Sequence, residues 1–177
     1  MKTFSVALAT SFAVIACSPT PTHEPESING LELTAARTDA SRYLGPKSRI
    51  VAICGPSKGV GLYLDSYADG YSPDQIENGV IIFGFDADDN PEIVHRDALK
   101  EMVVMSEEGA QISFNPDPRD NRMGIWIVQF PDSRIVETHN LTLGPNDQPL
   151  DLWTSNKPSL MIKARSFAFN SKCEFQS

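Results

Sequence analysis

Few side chains in this chain have the type and spacing that catalysis needs. Gly55-Pro-Ser-Lys-Gly59 spells G-x-S-x-G after a strand-like run. In a nucleophile elbow that serine turns into a helix, beside the amides that hold the oxyanion. Here the continuation Val60 to Asp65 reads as a strand, so Ser57 is expected in a turn and not as a nucleophile. No Gly-Lys-Ser/Thr closes the same glycines, so they make no phosphate loop. Asp86, Asp88 and Asn90 offer oxygens at alternate positions, a weak calcium candidate. The sixth position is Pro91 where the sharp turn needs glycine, and the twelfth is Asp97 in place of Glu. A hairpin turn explains the same residues. His95 and His139 have no second ligand at zinc spacing and read as ordinary strand residues. Tyr63, Tyr67 and Tyr71 cluster near one strand and its loop, and Trp126 and Trp153 lie on later strands. Such aromatics make a binding face or close a barrel end. With no convergent catalytic set, the expectation is a non-enzymatic domain with no cofactor and no metal.

The elements that would position these residues are strands. From Arg49 onward, short runs rich in Val, Ile, Phe and Tyr alternate with turn residues about every ten positions. The pattern predicts an all-β fold: a single antiparallel meander barrel or sandwich of about 8–10 strands. Strands are expected at 49–54, 59–66, 79–86, 92–96, 101–106, 110–114, 124–130, 134–143, 150–154 and 160–169. The pairs 79–86 with 92–96 and 101–106 with 110–114 should form hairpins. One short helical turn is expected at Ser72-Pro-Asp-Gln75, with Ser at the N-cap, Pro at N1 and Gln at N3. Val80–Phe85 and Ile125–Phe130 are apolar on both faces, as strands covered on two sides are. Residues 28–47 should therefore pack over the wall, or an apolar patch stays open.

The N-terminus reads as an address. Met1-Lys2 precedes 14 uncharged residues, Thr3 to Ala16. That is short of the roughly 20 needed to span a bilayer and suits a signal peptide, residues 1–16. Val14-Ile-Ala-Cys17 resembles the bacterial lipobox, which implies a lipid on Cys17 and cleavage before it. Residues 17–27 then form a lipidated Cys and a tether, with three prolines among residues 18–27. At ~3.1 Å per residue the tether reaches about 30 Å. Ser18 after the cysteine resembles the outer-membrane sorting pattern, so the expected place is the outer membrane, facing the periplasm. A soluble periplasmic or secreted protein is the alternative.

Composition narrows the partners. Losing Lys2 with the signal leaves 14 basic residues of the original 15 against 23 acidic ones, a net of −9. With no basic run, nucleic acid is not expected as a partner. The candidates are the membrane through Cys17, an envelope protein, or a small apolar ligand. Three cysteines are an awkward number for an exported chain. If Cys17 carries lipid, Cys54 and Cys173 remain and should pair in an oxidising compartment. The bridge would close one β-domain over residues 48–177, with 28–47 as a lead-in.

Two stretches carry a family resemblance. Cys54-Gly-Pro-Ser-Lys-Gly-Val-Gly-Leu-Tyr-Leu64, then Asp74 and Gly79, resembles a pattern in uncharacterised small exported bacterial β-proteins and lipoproteins. Leu152-Trp-Thr-Ser-Asn-Lys157, with Lys163 and Cys173, resembles their last two strands. The likeness spans about residues 50–173 and implies architecture, not activity. A looser likeness is to lipoprotein inhibitors of C-type lysozyme, small barrels behind a lipobox. Their Ser-Gly-x-Arg-Tyr loop is absent here. The reading is a lipid-anchored binding module, with a lipocalin-like ligand carrier or a cell-wall hydrolase inhibitor as alternatives.

Overall fold

The computed structural model describes Thr38 and residues 41–65, 68–96, 101–157 and 165–176, side chains excepted at 63–65, 68–69 and 165. The proposed signal, Cys17, the tether and Tyr67 lie outside them. Ten antiparallel strands form one sheet: β1 (Arg49–Asp65), β2 (Ala68–Ile76), β3 (Val80–Phe85), β4 (Pro91–Arg96), β5 (Met102–Val104), β6 (Gln111–Asp117), β7 (Asp120–Phe130), β8 (Ile135–Leu143), β9 (Pro149–Lys157) and β10 (Arg165–Phe175). The order is β5-β4-β3-β1-β10-β9-β8-β7-β6, with β2 alongside β1. Two meanders thus meet on β1, and the sheet curls into a half-barrel.

The first strand is the spine. The expected gap at Gly55–Lys58 is instead a bulge inside β1, between Cys54 and Ser57. A bulge absorbs extra residues without ending the ladder, and it tolerates Pro56, which has no N–H. There β1 changes neighbours: residues 49–54 pair with β3, and residues 57–65 pair with β2. Along its other side β1 pairs with β10, which puts Cys54 directly opposite Cys173. These two form a disulfide.

Two local expectations are corrected. Ser72–Gln75 is strand, not helix: Gly59 to Ser57 of β1 pair with Asp74 to Ile76, and that pairing overrides the capping signal. β2 has β1 as its partner and lies at an edge, where Pro73 is tolerated. A 3-10 turn falls instead at Pro145–Asp147, between the strands expected at 134–143 and 150–154. The hairpin of 101–106 with 110–114 does not form. β5 pairs with β4, β6 with β7. The chain between them winds through a helical bond from Glu108 N–H to the Val104 carbonyl. It thereby carries β6 to the opposite edge of the sheet.

The half-barrel has two apolar layers. Inside, Trp126 packs at 4.4 Å from Phe114 and 5.4 Å from both Phe83 and Phe85, between ring centroids. This aromatic group fills the end where β3 finishes and β4 begins. Outside, Ile53, Val80, Ile82, Val94 and Val104 form a second cluster with Leu44. Leu44 ends a helical stretch at residues 41–44. The lead-in thus covers part of the wall at β3, every residue of which is buried. β7 differs: its burial alternates, and Ile125 is 40% exposed.

Candidate functional site

The opposite end of the half-barrel holds a cavity of about 630 Å3. Its walls are Ile76, Ile81, Ile93, Met105, Phe130 and Ile135. Charged Arg96, Glu101, Glu108 and Lys157 stand at its rim. Its foot is polar and buried: Ser57, Glu137, His139 and Trp153.

Strand periodicity builds the foot. Glu137, His139 and Leu141 point inward from β8, and Asp151, Trp153 and Ser155 from β9. The register sets His139 opposite Trp153 and Glu137 opposite Ser155. His139 Nδ1 lies 2.8 Å from Asp151 Oδ2, with side chains 3% and 0% exposed. Trp153 stacks on the imidazole at 5.3 Å, and Phe83 meets it edge-on at 5.3 Å. The ring is therefore fixed on three sides. Burial, the largest influence, pushes the His139 pKa down. The Asp151 charge and hydrogen bond and the Glu137 charge push it up and prevail, so the net direction is upward.

The other polar atoms are paired. Ser155 donates to Glu137 Oε1 at 2.8 Å, and Lys157 Nζ lies 3.9 Å from the same oxygen. Trp153 Nε1 donates to Ser57 Oγ at 3.2 Å, and Ser57 shares a 2.7 Å hydrogen bond with Ser171. Three buried atoms have no partner among the described residues: Trp126 Nε1, His139 Nε2 and Asp151 Oδ1. Of their residues, His139 borders the cavity.

His139, a residue of β8, is thus buried at the centre of the site. Ser57 lies in β1 after the bulge, not in a turn. An Asp–His pair beside a serine matches two thirds of an acyl-transfer triad. The defining bond does not occur among the described residues: Ser57 Oγ pairs with Ser171 and Trp153, and no described residue bonds His139 Nε2.

The remaining candidates fall elsewhere. Asp86 accepts from the Asp88 and Asn90 amides through Oδ1 and from the Asn90 side chain through Oδ2. Those bonds, led by Asn90, hold its pKa below the usual carboxylate value. The carboxylate therefore serves its own turn, with Asp88 and Asn90 beside it. No cluster of three or more His, Cys, Asp or Glu suited to a metal occurs among the described residues. Tyr71 is 76% exposed on β2, and the side chain of Tyr63 lies outside the described residues. Tyr71 does not line the cavity. Trp153 does, and Trp126 belongs to the aromatic plug. No protein-family model matches the chain, nor does any curated protein or solved structure.

Proposed function

We propose that the β-domain is a non-enzymatic binding module that carries a small apolar ligand in the open end of the half-barrel. One observation carries this reading: an apolar-walled cavity of about 630 Å3 with a few buried polar groups at its foot. Small-molecule sites have that form, about 300–1,000 Å3 of mostly apolar lining with few convergent polar groups. The aromatic plug closes the other end, so a ligand would enter past the charged rim. On the face of β7 to β9, exposed Ile125 and Leu152 are separated across the sheet by Asn140.

The module is tethered to the outer membrane by lipid on Cys17 and faces the periplasm. The lipobox-like Val14–Cys17 and the proline-rich tether support this. Several acyl chains on one residue anchor stably where a single chain is marginal. Mass spectrometry tests both parts on protein extracted from its own membranes. Under denaturing conditions, an acyl mass on a chain beginning at Cys17 is expected, and an unmodified Cys17 contradicts the anchor. Under native conditions, an apolar compound released on unfolding is expected. Protein that is recovered empty and takes up no added apolar probe contradicts the carrier.

A further inference from the structure

We infer that the ligand is an acyl chain that enters carbonyl end first and sets its oxygen on His139 Nε2–H. This rests on the carrier reading above and names the chemistry of the same cavity.

The argument starts from an unpaired atom. Buried polar atoms almost always find partners, and each exception needs a reason. His139 Nε2 is buried without one among the described residues, on a residue that borders the cavity. Asp151 takes the other ring nitrogen, and Trp153 and Phe83 hold the ring plane. The ring is oriented before any ligand arrives, which lowers the cost of binding.

The sign of the partner follows from the neighbours. Asp151 Oδ2 lies 2.8 Å from Nδ1. Burial lowers the His139 pKa, but the Asp151 and Glu137 charges raise it further, the direction that favours an imidazolium with Nε2 as a donor. A buried N–H donor calls for an acceptor oxygen. Glu137, the other carboxylate at the foot, is offset by Lys157, 3.9 Å away, and accepts from Ser155. Above the foot, Ile81, Ile93 and Ile135 offer hydrocarbon, not hydrogen bonds. An oxygen acceptor on an apolar chain satisfies both regions. A free carboxylate and a neutral ester share that acceptor.

Binding of decanoate, methyl decanoate and decylammonium to the full mature domain separates the outcomes. A displaced apolar fluorophore reports affinity, and the imidazole nitrogen resonances of His139 report contact. We expect either oxygen ligand to bind about tenfold to a hundredfold more tightly than the ammonium, as one hydrogen bond to a charged donor gives. The bound form should shift the Nε2 resonance. The stronger of the two oxygen ligands identifies acid or ester. His139→Leu/Asp151→Leu removes the donor without stranding a charge and should erase the preference. Equal binding of the ammonium, or an Nε2 signal unmoved by a bound oxygen ligand, overturns the inference and leaves the carrier standing. Failure of all three ligands and of the fluorophore to bind overturns the carrier itself.

Discussion

His139 and Asp151 are joined at 2.8 Å in the interior of a half-barrel, each almost wholly shielded from water. Burying two charges is costly, and their attraction offsets that cost only with good geometry and further hydrogen bonds. Here both residues keep one polar atom without a partner among the described residues. A pair selected for stability alone would be served as well by two well-packed apolar side chains. Its place at the foot of a cavity is what the proposed ligand site would use.

The pair makes stability depend on pH. Its neighbours raise the His139 pKa in the folded state, and in the unfolded chain it titrates near 6.5. The folded state therefore binds the proton more tightly. The resulting stability is fully present below about pH 6.5 and is lost as pH rises through the folded value. Urea denaturation across that range should show stability falling with rising pH. The same series on His139→Leu/Asp151→Leu should lack that slope. Asp151→Asn alone leaves His139 without its counter-charge, and breaking such a buried pair costs about 3–5 kcal/mol.

Cys54 and Cys173, paired across β1 and β10 and 119 positions apart in sequence, set a second test. A loop of that length gives nearly 5 kcal/mol in the chain-entropy model. Cys54→Ser/Cys173→Ser should lose a large part of that in equilibrium unfolding. Both sulfurs are buried, so mild reductant should open the bridge only as fast as the domain unfolds. Rapid reduction of the native protein would contradict this.

Two glycines should fail for different reasons. At Gly59 an added methyl would overlap the Ala168 carbonyl oxygen and lie 2.7 Å from Phe169 Cα, so β1 and β10 would have to separate. Gly59→Ala should cost about 1–3 kcal/mol or more, as overpacking does. Gly109 has open space around it but a φ of 86°. Gly109→Ala should cost roughly 1–2 kcal/mol through the backbone alone. Denaturant midpoints for the two variants check the order. Equal losses would mean that the β1–β10 approach is looser than described.

Some of this was legible in the sequence. The odd cysteine pointed to Cys54–Cys173, and alternation located most strands. Local signals failed where a distant partner decides the outcome. Ser72-Pro-Asp-Gln75 carries helix-start residues, yet the ladder to β1 draws it into a strand. Gly55-Pro56 carries turn residues, yet β10 continues alongside and makes them a bulge. The site was harder still. Asp151 is twelve residues from His139, and only the β8–β9 register brings them together. One signal was available: Glu137 and His139 share a strand face with Leu141, and Asp151 shares one with Trp153. Charged residues in line with core residues mark a polar interior.

The central claim is that the cavity at the open end holds an apolar ligand. Ile135→Trp would fill it from the β8 wall. Titration of an apolar fluorophore into wild type and this variant tests the claim most directly, with near-ultraviolet circular dichroism to confirm that both are folded. One side chain of apolar contact is worth roughly 1.5–3 kcal/mol, so the variant should bind at least about tenfold more weakly. Equal binding by both proteins, or none by the wild type, would contradict it.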